Sequence, residues 1–316
     1  MTARVSYGSI GEFETVVVEN RLLRAVIIPS LGGRVWELED RLRHRQWIWH
    51  RPGVPLTASM PGDVYDDVWA GGWEELFPND APGRFEGREL PDHGEWWAMP
   101  WSVRTATGGE SARLTLEAQS RVLKARCVKE YRLAGDASTL SVSYSIRSAE
   151  PLPFHFLFKQ HLAVAIAPGC RLLLPGGRVE PVDPAFGSLL PSAEHFDWPF
   201  AEGSGRRVDL RQIPPASSNL QEFVYVRDLP QPWCGIGDPT AGAAIRMDFE
   251  SGKLPFVWLF LTYGGWRDLY TAVLEPCSNM PKDLKSAVAV GQSAELMPGE
   301  EFTTSVSATL SGYSGN

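Results

Sequence analysis

Helical periodicity is the first thing this chain lacks. No window of its 316 residues carries a long, capped 3.6-residue pattern, and 25 prolines interrupt it throughout, so little helix is expected. Cysteine is nearly as scarce. Cys127, Cys170, Cys234 and Cys277 are widely separated and form no Cys-x-x-Cys pair. That excludes a zinc knuckle or a dithiol redox motif and leaves reduced, mostly buried thiols. Cys277 stands two residues from Glu275, but no neighbouring motif marks it as a nucleophile.

Basic charge is also in deficit. Thirty Lys and Arg against 38 Asp and Glu give a formal net charge of -8, which provides no basic face for nucleic acid or an anionic membrane. No run is long and apolar enough to span a bilayer, and the N-terminal residues hold no apolar core of signal-peptide length. The cytoplasm is the expected location. Internal repeats and low-complexity tracts are absent as well. What is present is 43% hydrophobic and 22% charged, enough apolar material for a large core. A single domain over residues 1–316 is expected, with a neutral or weakly charged small molecule as its ligand.

The apolar residues alternate with period two. Between Ser138 and Ile146, Leu140, Val142, Tyr144 and Ile146 are interleaved with Ser141, Ser143 and Ser145, the pattern of a strand with one face in a core. Similar runs cover 13–18, 22–28, 34–38, 113–118, 125–133, 154–166, 243–249, 256–262, 270–274 and 302–310. Gly-Gly pairs at 32, 71, 108, 176 and 264 punctuate them. Many short strands between Gly and Pro turns predict an all-β protein of two large, curved antiparallel sheets. Two stretches, 52–97 and 181–219, are long and irregular, and loops of that length are more often functional than neutral connectors.

Four polar residues stand out against this apolar pattern: Glu275, Lys159, His161 and His93. Glu275 ends the apolar run from Leu269, with Pro276 expected to stop the strand. A carboxylate there implies either a salt bridge or a chemical task. In the run 154–166, alternation puts Lys159 and His161 on one face, about 7 Å apart, with Phe154, Phe156 and Phe158 on the other. His155 shares the polar face but lies roughly 20 Å along the strand from His161, too far for the two to bind one metal. His93 sits in Asp92-His93-Gly94, where Gly94 would let the backbone approach a ligand, followed by Trp96, Trp97 and Trp101. Aromatic faces beside a histidine and acids suit a sugar, which stacks through its C–H patches and hydrogen-bonds through its hydroxyls. Upstream, Glu74, Glu75, Asn79 and Arg84 offer further polar contacts.

In this order the pieces resemble the galactose mutarotase-like family, which includes aldose 1-epimerases. The resemblance runs through 20–35, Gly71-Gly-Trp-Glu-Glu-Leu-Phe-Pro78, Asp92-His-Gly94, Lys159-Gln-His161, Leu274-Glu-Pro276 and 296–302. It implies a β-supersandwich and interconversion of the α and β anomers of an aldose. Carried over by motif, Glu275 resembles the family's general base, His161 its general acid and His93 the histidine that holds substrate near the ring oxygen. The arginine contact falls to Arg84, and Lys159 and Asn79 join the substrate-binding set. The chain departs from the pattern where better-known members carry an Asp-His pair: it reads Ser218 to Tyr225 there, leaving Glu222 or Gln221 as substitutes.

Acid–base ring opening needs no metal or organic cofactor. The implied partner is a monosaccharide or a derivative of one, and the implied assembly is a monomer or homodimer. Two other readings fit the same residues. One is a carbohydrate-binding or regulatory protein without catalysis. The other is a sugar lyase or hydrolase, which ordinarily needs a second carboxylate or a tyrosine base, with Glu74, Glu75 and Glu222 as the acids available.

Overall fold

Alternating strands build nearly the whole molecule. The computed structural model describes residues 1–60, 62–190, 195–203 and 206–315. About 52% of it is strand and 4% helix, so the all-β expectation holds. Twelve strands form one sheet and eight another, and every strand pair described is antiparallel. In the eight-stranded sheet Glu301–Gly312, Thr139–Ser148, Ala125–Ala134 and Ser111–Gln119 are successive neighbours. Each buries every second residue, so Leu114, Tyr131, Val142 and Val306 face inward. They meet Val18, Ala25, Leu162, Leu259 and Leu274 of the larger sheet. Each Leu or Val among them contributes on the order of 2 kcal/mol on leaving water.

The middle of the larger sheet differs from its edges. Arg34–Asp40, Trp73–Leu76, Lys159–Val164, Tyr270–Cys277, Phe256–Tyr263 and Leu220–Arg227 lie side by side there. Trp73–Leu76 and Lys159–Val164 are buried throughout. One face of these strands packs on the eight-stranded sheet. The other lies beneath residues drawn from both long irregular stretches, so polar side chains on that face are enclosed. Neighbours along a strand are thereby sent to different environments. Glu75 enters the core between the sheets, where it pairs with Lys129 of the opposite sheet and accepts a 2.6 Å hydrogen bond from Tyr144 Oη. Glu74, one residue earlier, faces the other way.

Three local expectations need correction. The run 154–166 is two strands, Phe154–Phe156 and Lys159–Val164. Between them Leu157 N bonds to Pro78 O and Phe158 N to Ser278 Oγ, which diverts the chain. His155 therefore lies in a separate two-stranded sheet with Ala294–Leu296, against Ser293. Pro276 does not end its strand, which continues to Cys277. Toward Lys159–Val164 the register passes from Lys159 opposite Cys277 to Leu162 opposite Leu274. Pro276 thus occupies a gap in that ladder, where its missing N–H forfeits no bond. Gly94 was expected to admit a ligand to the backbone. Instead a Cβ there would lie 2.3 Å from Phe77 O, at φ +69°, so the glycine serves a close approach of two chain segments.

The helices are short, Tyr65–Val68 and Leu284–Ala289. Among the described residues no helix is long and apolar enough to cross a membrane.

Candidate active site

A cavity of about 320 Å³ opens on the covered face of the larger sheet, a size suited to a small polar ligand. Its floor is made by Lys159, His161, Phe223, Trp258, Phe260 and Glu275, all carried on adjacent strands. Residues 65–93 supply Tyr65, Asp66, Trp69, Asp80, Asp92 and His93. Asp183, Phe186 and Trp266 contribute to the rest of the lining. Glu275, His161, His93 and Lys159, distant in sequence, are therefore brought to one place. Three aromatic rings among the floor residues provide stacking surface beside them.

Glu275 is 3% exposed. Burial raises its carboxyl to about 7, against the pull of the Lys159 ammonium. Lys159 Nζ lies 3.2 Å from Glu275 Oε2, is also paired with Asp80 Oδ2, and stands over the Trp258 ring. A carboxyl poised near neutrality beside a fixed cation is well matched to accepting and returning a proton.

The two histidines have opposite surroundings. His93 Nδ1 is 2.8 Å from Asp92 Oδ1, and its Nε2 is 3.8 Å from Asp80 Oδ1. Burial works to lower its pKa, but Asp92, Asp80 and Asp66 prevail and raise it above the usual value. Its backbone N–H donates to Asp80 O at 2.7 Å, and its φ of 57° is the left-handed region that non-glycine residues seldom adopt. Its ring stacks on Tyr65 at 4.0 Å. His161 Nδ1 is 3.2 Å from Tyr65 Oη, and that hydroxyl donates to Glu74 Oε1. Glu74 is in turn in ion-pair contact with Arg34. Burial first, then the charges of His93, Lys159 and Arg34, hold His161 well below the usual imidazole range.

Arg34 reaches Glu74 because Gly72 leaves room: a Cβ at Gly72 would lie 2.5 Å from Arg34 Cδ. The Gly-Gly turn is thus a packing requirement behind the site.

The remaining expected contacts lie elsewhere. Arg84 is on the surface hairpin Gly83–Phe85/Arg88–Leu90, 68% exposed and paired with Glu89, so it does not line the cavity. Asn79 is buried and spends its amide on Pro91 O and Ala81 O, turned away from the cavity. Glu222 points to the far side of its strand, where its carboxylate accepts from Leu190 N at 3.0 Å and abuts Gly187. It holds the segment that carries Asp183 and Phe186 and does not itself reach the cavity. Gln221 donates to Phe186 O. Of the acids suggested for a lyase or hydrolase, Glu75 is between the sheets and Glu74 is screened by Tyr65. The second carboxylate beside Glu275 is Asp80, which shares Lys159 with it.

Sequence reasoning passed over Tyr65, Asp80, Trp258 and Arg34. Asp80 had a visible signal, since it adjoins Asn79 in Phe77-Pro-Asn-Asp80. Only the side-chain direction separates the two. Tyr65 had none, being one aromatic residue in a long irregular stretch.

No protein-family model matches the sequence. The uncharacterised protein YphB of Escherichia coli K12 is 25% identical over 262 residues, 81% of each chain. Several solved structures share the architecture. A galactose mutarotase-like protein from Clostridium acetobutylicum superposes with a TM-score of 0.71 at 15% identity, covering 98% of this chain and 99% of its own. A candidate aldose 1-epimerase from Klebsiella pneumoniae gives 0.73 at 14% identity, covering 99% of this chain and 83% of its own. A galactose mutarotase-like protein from Lactobacillus casei gives 0.64 at 15% identity, covering 94% of this chain and 100% of its own. At these identities what is shared is the architecture, and the chain has the galactose mutarotase-like fold.

Proposed function

We propose that this protein is an aldose 1-epimerase-like isomerase that opens and recloses the ring of a monosaccharide. The observation that carries the reading is the meeting of Glu275, His93 and His161 in one aromatic-lined cavity, from segments nearly two hundred residues apart. In its ionised form Glu275 takes the proton from the anomeric hydroxyl. The C1–O1 bond becomes a carbonyl as C1–O5 breaks, and a histidine gives a proton to the ring oxygen. Rotation about C1–C2 followed by the reverse transfers yields the other anomer. Lys159 keeps part of the Glu275 population ionised near neutral pH, against the cost of burial. Asp80 and Asp92 provide hydroxyl acceptors, and Trp258 and Phe260 provide surfaces for C–H stacking.

Polarimetry on freshly dissolved α-D-glucose and α-D-galactose tests this reading, with 6-phosphorylated aldoses in the same panel. The expected result is relaxation faster than buffer for at least one sugar, lost in Glu275→Gln. Relaxation no faster than buffer across the whole panel would sink it.

A further inference from the structure

We infer that His93 delivers the proton to the ring oxygen, and that His161 faces the substrate as a hydrogen-bond acceptor. The assignment of roles rests on the epimerase reading; the protonation pattern beneath it rests on hydrogen-bond direction.

Tyr65 has one hydroxyl proton and two neighbours able to take it, Glu74 Oε1 and His161 Nδ1. Glu74 is the stronger acceptor: burial raises its pKa, and Arg34 in ion-pair contact opposes that rise and favours the carboxylate. With its proton committed to Glu74, the hydroxyl oxygen can only accept from the imidazole, 3.2 Å away. Nδ1 of His161 therefore carries hydrogen, and in the neutral ring the free lone pair is on Nε2. A second proton is opposed by burial and by the nearby charges of His93, Lys159 and Arg34. Trp69 and Tyr65, edge-on to the ring, add no anion. Glu74, 3.9 Å from Nδ1, favours a second proton, but its charge is already matched by Arg34.

His93 has the reverse arrangement. Asp92 faces Nδ1 and Asp80 faces Nε2, so both nitrogens carry hydrogen. The 3.8 Å to Asp80 exceeds hydrogen-bond range, which leaves the Nε2 proton available for transfer. In the forward step the O1 proton passes to Glu275, the C1–O5 pair moves to O5, and O5 takes the Nε2 proton. His93 is then neutral and Glu275 protonated, and ring closure restores both.

Nitrogen-15 NMR of the full chain, labelled at its six histidines, reads the protonation states without reference to turnover. His93→Gln and His161→Gln identify the two signals; should one variant fail to fold, the other still assigns its own signal, and Tyr65→Phe, which removes the hydroxyl facing His161 Nδ1 while keeping the ring that stacks on His93, separates the two. At pH 7 the expected result is a neutral His161 with hydrogen on Nδ1 and a doubly protonated His93. Hydrogen on Nε2 of His161, or a neutral His93, overturns the inference. In kinetics, Asp92→Asn is expected to move the alkaline limb of kcat/KM down by about one pH unit or more. An unmoved limb assigns the transfer to His161 instead. If no aldose is turned over, the epimerase reading fails by polarimetry while the NMR result still decides the protonation pattern.

Discussion

Lys159 Nζ lies 3.2 Å from Glu275 Oε2 and pairs at the same time with Asp80, so one buried ammonium serves two carboxylates. All three groups are less than a tenth exposed. Removing the cation leaves two buried acids without the ammonium they share, and breaking a buried pair typically costs about 3–5 kcal/mol. Lys159→Met is expected to show that loss in urea denaturation. It also moves Glu275 above its present value of about 7. The acid limb of the rate profile then shifts to higher pH, and an unchanged limb would separate Lys159 from the base.

Glu275→Gln is expected to lower kcat by roughly 10²–10⁴, the range supplied by a positioned acid or base. Its stability effect has a defined sign. The carboxyl ordinarily titrates near 4.5 and is raised to about 7 in the folded chain. Between those values the native state binds more protons than the unfolded state, so wild-type stability falls as pH rises. The loss is on the order of 3 kcal/mol once pH passes 7. Glutamine does not titrate, so the variant gains on the wild type between pH 5 and pH 8. Urea unfolding at the two pH values checks this; an equal difference at both would show that Glu275 is not raised.

Asp80→Asn and Arg84→Ala make a paired test of which acid–base residues belong to the site. Asp80 lines the cavity and binds Lys159, and its loss should lower kcat/KM by about 10-fold or more, since a hydrogen bond to a charged group contributes roughly 1.5–3 kcal/mol. Arg84 is mostly exposed in a surface pair with Glu89. Its loss should leave kcat/KM within about twofold and stability within about 0.5 kcal/mol. The reverse ranking in steady-state kinetics would place the sugar elsewhere.

Glu222→Ala tests the support of the cavity rim. The carboxylate accepts from Leu190 N and packs on Gly187, tying down the segment that presents Asp183 and Phe186. Without it KM is expected to rise several-fold with kcat within about twofold, because binding groups move and reacting groups do not. A fall in kcat at unchanged KM would count Glu222 among the reacting groups.

Much of the sheet framework was legible because burial on one face imposes a two-residue period. The stretches 113–118 and 138–146 illustrate it, overlapping Ser111–Gln119 and Thr139–Ser148. Trp73–Leu76 was not legible as a strand: it is buried on both faces and carries Glu74 and Glu75, so it shows no alternation. The break after Phe156 was also hidden, since it depends on hydrogen bonds donated by Leu157 N and Phe158 N to Pro78 O and Ser278 Oγ in remote segments. Glu275, Lys159 and His161 were readable because each is a polar residue in an apolar strand. Asn79 and Asp80 are not distinguished by sequence, because adjacent residues in a loop have no fixed facing.

The sequence by itself determined the all-β architecture, the absence of a basic surface and the set of polar residues embedded in apolar strands. Those follow from local period and composition, which each segment carries alone. Tertiary structure decided which of them meet. A cation such as Lys159 lowers the tendency of His161 to hold a proton and a carboxylate raises it, and which neighbours stand beside the ring is set by other strands and loops. The states of His93 and His161 depend on Asp92 and Asp80 around one ring and Tyr65, Glu74 and Arg34 around the other. Electrostatic effects of this size act over a few ångströms in space, a distance that chain order does not encode.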